Sequence, residues 1–220
     1  MKKSLYDQIE ANMLSCIKET VHDMDHVYRV LNFALYIAKQ EQGVDYDVLI
    51  ASALLHDIGR DGENGGHNVV GAEMARDFLK GIGFPDEKID GVYHAIITHS
   101  NGMDCERKTL EAKILYDADK LEAIGVMGIA RAFLYAGNVN NHMYVLENGK
   151  VDMDENAEDD TVVRYYLRHL QKNYDRFFTK AARELALRHK KEDEEYFRAF
   201  INFINENAEF ADKLSNVIEE

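Results

Sequence analysis

The sequence predicts an all-α fold, on three observations. Apolar residues recur at intervals of three and four, and Val27, Val30, Leu31, Ala34, Leu35 and Ala38 form one such stripe. Runs of β-branched residues with period two are few. One proline, Pro85, stands in 220 residues, so little interrupts helical periodicity except glycine.

The elements follow in order. Helices are expected near 4–19 and 23–41, the second stopped by Gly43 after "YIAKQEQ". A third, near 46–58, ends at Gly59, and "GIGFP" (Gly81 to Pro85) separates helices near 68–80 and 86–99. A long, largely apolar helix is expected near 108–136. The polar stretch Gly137 to Asp160 then reads as a loop or flap, in which "MYVLENGKV" could turn at Asn148-Gly149 as a small hairpin. Helices near 160–173 and 179–207 close the chain. Their Tyr and Phe residues at helical spacing read as core or as a surface for a second copy of the chain, in preference to a nucleotide-stacking platform.

Composition narrows the function classes. With 46% apolar and 30% charged residues, the chain can build a full hydrophobic core, read here as one domain over residues 1–220. The formal charge of −14 argues against a nucleic-acid partner, which needs a basic face. Small phosphorylated substrates stay open, because a bound cation or a local Lys/Arg cluster reverses the sign within a cleft. Cys16 and Cys105 form no CxxC pair and read as reduced thiols. Asp7, Gln8, Glu10 and Asn12 interrupt any leader-like apolar run, and no stretch approaches the ~20 apolar residues of a membrane span. A cytoplasmic protein with no membrane partner is expected.

Four residues put metal-type ligands where packing alone would not. In "VLIASALLHDIGRDG", Ser52 is the lone polar side chain from Val48 to Leu55, and then His56 and Asp57 arrive together. An ion taken out of water without a partner costs roughly several kcal/mol. His26 lies in "HDMDHVYRVLNFAL", and Asp119 lies in "AKILYDADKLEAIGVMGIARAF" beside Asp117, Lys120 and Glu122. Each alone is weak, since a His near a helix start is more often a capped surface residue. Together they offer two imidazoles and two carboxylates, a mixed N/O set suited to Mn²⁺, Fe²⁺, Co²⁺, Ni²⁺ or Zn²⁺ with water completing the coordination. Such an open site is what metal-assisted hydrolysis needs.

The order His, His-Asp, Asp resembles the HD-domain superfamily of metal-dependent phosphohydrolases. "DHVYRVLNFA" is similar to its first-histidine helix, "ALLHDIG" to its name-giving motif and "DADKLEAIG" to its closing aspartate helix. The likeness covers about residues 20–125, and "TKAARELALRH…FRAFINFINE", within about 160–210, resembles the C-terminal helices of small stand-alone members. It implies His26, His56, Asp57 and Asp119 as ligands, with Asp119 preferred over Asp117 because it precedes a basic residue and leucine. The cofactor implied is one divalent ion (Mn, Fe, Co, Ni, Zn or Mg).

Further roles are expectations from the same likeness. Asp61 stands near an acidic pair that assists water in related nucleotide hydrolases, although Arg60-Asp61 occupies the place here. Lys120 and Arg29 are candidates for steadying phosphate charge, with a plain ion pair as the alternative for either. Some branches hold a second metal with extra histidines, and His67, His94 and His99 are the raw material. His94 and His99, five apart, point about 140° away from each other on a helix. One of them, taken as His99, faces the cleft, where it and His67 are expected to contact substrate phosphate or water. The function implied is hydrolysis of a phosphate ester or anhydride, with a nucleotide as substrate class. Cyclic-nucleotide or other phosphomonoesterase activity, a non-catalytic metal-containing binding module and a dimerisation protein remain as alternatives.

Overall fold

The structure, a computed structural model, describes residues 1–17, 23–60, 66–100, 106–172 and 174–212. Among these residues the fold is all-α, with nine α-helices and one two-stranded hairpin. The chain gathers into two compact units. One comprises Met1–Glu122 with Phe177–Glu184, the other Ala123–Arg176 with Leu185–Glu220.

In the first unit, α1 (Lys3–Cys16), α2 (Met24–Ala38), α3 (Tyr46–Leu55), α4 (His67–Gly81), α5 (Asp86–Thr98) and α6 (Leu110–Glu122) surround a continuous core. The apolar run noted in the sequence is α3, and it is central. Val48, Leu49 and all of residues 51–55 are buried, because α1, α2, α5 and α6 all pack on it. Asp45 caps it by accepting from the backbone N–H groups of Asp47 and Val48. Burying Leu49, Leu54 and Leu55 contributes about 1.5–3 kcal/mol each, which is what carries the His-Asp pair that follows into the interior. The chain then turns at Gly59, where a Cβ would lie 2.3 Å from the His67 carbonyl oxygen and 2.4 Å from the Gly71 nitrogen. That backbone contact brings the end of α3 against the first turn of α4.

The long helix expected near 108–136 is broken. Ile124 is extended and Gly125 adopts φ +68°, so α6 ends at Glu122 and α7 (Gly125–Asn138) begins anew. Asp117, on α6, turns to α9 (Lys180–Asp212), accepting from Phe178 N at 2.9 Å, Thr179 N at 2.7 Å and Thr179 Oγ1 at 2.7 Å. Burial pushes its carboxyl up against those bonds.

The second unit holds α7, the hairpin, α8 (Val162–Arg168), the 3₁₀ turn Leu170–Lys172 and the remainder of α9. The hairpin β1 (Leu146–Glu147) and β2 (Lys150–Val151) turns on Asn148 and Gly149, both with φ above zero, as a two-residue turn demands. Val151, Val163 and Ile204 form a small core with Tyr144, Leu167, Phe200 and Ile201. The acidic stretch before α8 closes around Arg164, 1% exposed, which binds the carboxylate of Asp152 and the carbonyls of Asp154 and Asp159. No helix among the described residues is long and apolar enough to cross a membrane.

Candidate metal centre

α2 begins at the cap Asp23, whose side chain accepts from His26 N at 2.8 Å. His26 is thereby fixed in the first turn with its ring turned inward, fully buried. Its Nδ1 lies 2.9 Å from Glu122 Oε2. Its Nε2 lies 3.3 Å from His56 Nε2, 3.6 Å from Asp57 Oδ2 and 3.6 Å from Asp119 Oδ1. His56 Nε2 is 3.6 Å from the same Asp57 oxygen. The four residues expected as ligands, on α2, α6 and at the end of α3, thus converge in the first unit.

The donor set fits a divalent ion. His56 Nδ1 donates to the Ala53 carbonyl at 2.8 Å and His99 Nδ1 to the Ile96 carbonyl at 2.6 Å. Because a carbonyl can only accept, each Nδ1 carries the hydrogen and each ring turns its Nε2 to the centre. Neither buried oxygen of Asp57 has a hydrogen-bond partner, although Arg60 Nε forms an ion pair with Oδ2 at 2.8 Å, and a carboxylate taken out of water favours cations beside it. Donors bonded at about 2.1 Å to one ion stand roughly 3.0–3.5 Å apart, close to the 3.3–3.6 Å found.

A second group shares Asp57. Its Oδ1 is 3.7 Å from His67 Nε2 and 3.5 Å from His99 Nε2, so the two groups of ligand atoms among the described residues are His26–His56–Asp57 and Asp57–His67–His99. His94 faces elsewhere and accepts from Lys108 N at 3.0 Å. The five-residue separation on α5 divides the two histidines.

Electrostatics separates the rings. Burial lowers His56 to about 4, and burial with the Arg60 charge lowers His67 to about 4, so both are neutral at pH 7. Burial also works against a charged His26, but Asp57, Glu122 and Asp119 outweigh it and raise His26 to about 9. Burial pushes Asp57 up, yet His56, His26, His99 and Arg60 hold it well below the usual carboxylate range. Asp119 is likewise lowered against its burial by Lys120 and the three histidines.

The remaining expected residues are placed as follows. Lys120 Nζ donates to Asp119 Oδ2 at 2.7 Å, leaving Oδ1 to the centre. Arg29 pairs with Glu122 Oε1 at 2.8 Å through Nε and Nη2. Asp61 and Cys105 lie outside the described residues. Two residues given no role by the sequence reading join the site. Glu122 is three positions after Asp119 on α6, a spacing that puts both on one face. Arg60, three after Asp57, has Nε 2.8 Å from Asp57 Oδ2 and Nη2 3.3 Å from His67 Nε2.

A helical unit with a buried His/His-Asp/Asp centre fits a metal-dependent hydrolase. Residues 24–124 match the HD domain family. YpgQ of Bacillus subtilis is 32% identical over 170 residues, spanning 75% of this chain and 76% of that protein. Its crystal structure in complex with ADP superposes with a TM-score of 0.72 at 28% identity, covering 90% of this chain and 94% of that one. A crystal structure described as a predicted HD-superfamily hydrolase from an uncultured Thermotogales bacterium gives 0.59 at 27% identity, covering 91% of each chain. An HD-superfamily hydrolase from Bacillus thuringiensis shares the fold, at TM-score 0.73 and 24% identity over 93% of this chain and 99% of that one. The chain belongs to the HD-domain superfamily.

Proposed function

We propose that this protein hydrolyses a phosphate ester or anhydride bond of a nucleotide. The observation that carries the reading is the buried cluster in which His26, His56 and Asp57 bring ligand atoms together, with Asp57 Oδ1 left without a hydrogen bond. His26, His56, Asp57 and Asp119 would hold one divalent ion. When bound, it supplies Lewis-acid chemistry, lowering the pKa of water and polarising a phosphoryl oxygen. Glu122 orients His26 through Nδ1, and Lys120 fixes which Asp119 oxygen faces the centre. His67 and His99 stand on the other side of Asp57, where they can bond a phosphate oxygen or the attacking water. A nucleotide is favoured because the related YpgQ has been crystallised with ADP.

The test is a screen of nucleotides supplemented with Mn²⁺, identifying the phosphate-containing product. Release of phosphate or pyrophosphate that chelator abolishes, and that Asp57→Ala lacks while staying helical, is the expected result. Failure of an ion-loaded protein on every phosphate compound would favour a binding module.

A further inference from the structure

We propose that Arg60 uses its own guanidinium as the cation of the second ligand group, and so restricts the centre to a single metal ion. The inference rests on the metal reading above and concerns how many ions the ligands accept. Asp57, His67 and His99 offer three donor atoms grouped around Asp57 Oδ1. By donor count alone, a second ion could share Asp57 with the first. Arg60 stands in its way at His67. Nη2 lies 3.3 Å from His67 Nε2, and since a guanidinium carries donors only, His67 must accept with the lone pair that an ion would need. Nε lies 2.8 Å from Asp57 Oδ2, the oxygen on the side of His26 and His56, so Oδ1 stays open but part of the shared carboxylate's charge is already balanced.

The placement is built into the backbone. Gly59 and Gly71 touch so closely that no Cβ fits at Gly59, and this contact sets Arg60 against the start of α4, where His67 is the first residue. Arg60 N also bonds the Asp57 carbonyl at 3.1 Å, closing the turn. The Nε atom is buried although the side chain is 27% exposed.

The experiment counts Mn²⁺ per chain by elemental analysis after dialysis against a fixed Mn²⁺ concentration, with helicity checked by circular dichroism. The wild-type protein should hold one equivalent. Arg60→Gln, or Arg60→Met if the amide itself bonds Asp57, should hold two, with the second bound at least about tenfold more tightly than in wild type. Paramagnetic resonance should then change from an isolated-ion spectrum to that of two coupled ions sharing a carboxylate. Adding His99→Ala to Arg60→Gln should return the count to one. One ion in the wild type and in both folded Arg60 variants would overturn the inference and leave the metal reading standing. Two ions in the wild type would overturn it as well. No ion in any form would overturn the metal reading itself.

Discussion

The Nε2 atoms of His26 and His56 face each other across 3.3 Å, while their Nδ1 atoms are engaged by Glu122 and by the Ala53 carbonyl. Two lone pairs at that distance repel. One proton or one metal ion between the rings resolves the conflict, and the surrounding Asp57, Asp119 and Glu122 favour either. Proton and metal therefore compete for the same place.

That competition is measurable. His26 is raised to about 9 and His56 lowered to about 4, so at pH 7.5 the metal-free protein carries the shared proton on His26. Mn²⁺ uptake should then release about one proton. Calorimetric titration in buffers of differing ionisation enthalpy reads that number directly. Release should decline as pH passes 9, and its absence at pH 7.5 would contradict the pairing.

The same shift affects stability of the metal-free protein. His26 has a folded pKa of about 9 against 6.5 unfolded. Its contribution, on the order of 3 kcal/mol, is complete below 6.5 and lost as pH rises to 9. Asp57 and Asp119 are shifted down, so their contributions are present above about 3.8 and lost in acid. Urea midpoints of dialysed protein should fall between pH 6.5 and 9. The fall should disappear in His26→Asn.

Much of this was legible in the sequence, for physical reasons. Helical periodicity and the missing second face of α3 follow from side-chain hydrophobicity alone, and His56-Asp57 stands out because the run before it is apolar. Glu122 was hidden because a charged residue on a helix usually marks a solvated face, and only packing of α2 against α6 turns it to His26. Arg60 was hidden for a different reason. Its position depends on the approach of Gly59 to Gly71, a contact between residues twelve apart that no local pattern encodes. The break at Gly125 needed φ +68°, where an added Cβ would also lie 2.5 Å from His189 Nδ1.

Glu122 offers a test of ring orientation. Its carboxylate holds His26 Nδ1 at 2.9 Å and is itself held by Arg29. Carboxylates that orient a ligating histidine are worth about 10–100-fold in metal affinity. Glu122→Gln should weaken Mn²⁺ binding within that range while the fold persists. Arg29→Ala should weaken it less, because the carboxylate stays. Unchanged affinity in Glu122→Gln would show that the contact does not position His26.

Asp117 and Asp119 stand two apart on α6, so they point about 200° apart around its axis. The helix therefore sends one carboxylate to His26, in the proposed metal centre, and the other to the start of α9. Their replacement should produce opposite losses. Asp119→Ala should remove a ligand, losing bound metal and turnover while the helical signal persists. Asp117→Ala leaves Phe178 N, Thr179 N and Thr179 Oγ1 without their acceptor. A lost cap costs about 1 kcal/mol and each buried donor left unmade about 1–3 kcal/mol. Its urea midpoint should drop, yet metal content measured below the transition should stay at the wild-type value. Loss of metal from a folded Asp117→Ala protein, with full retention in Asp119→Ala, would exchange the two assignments.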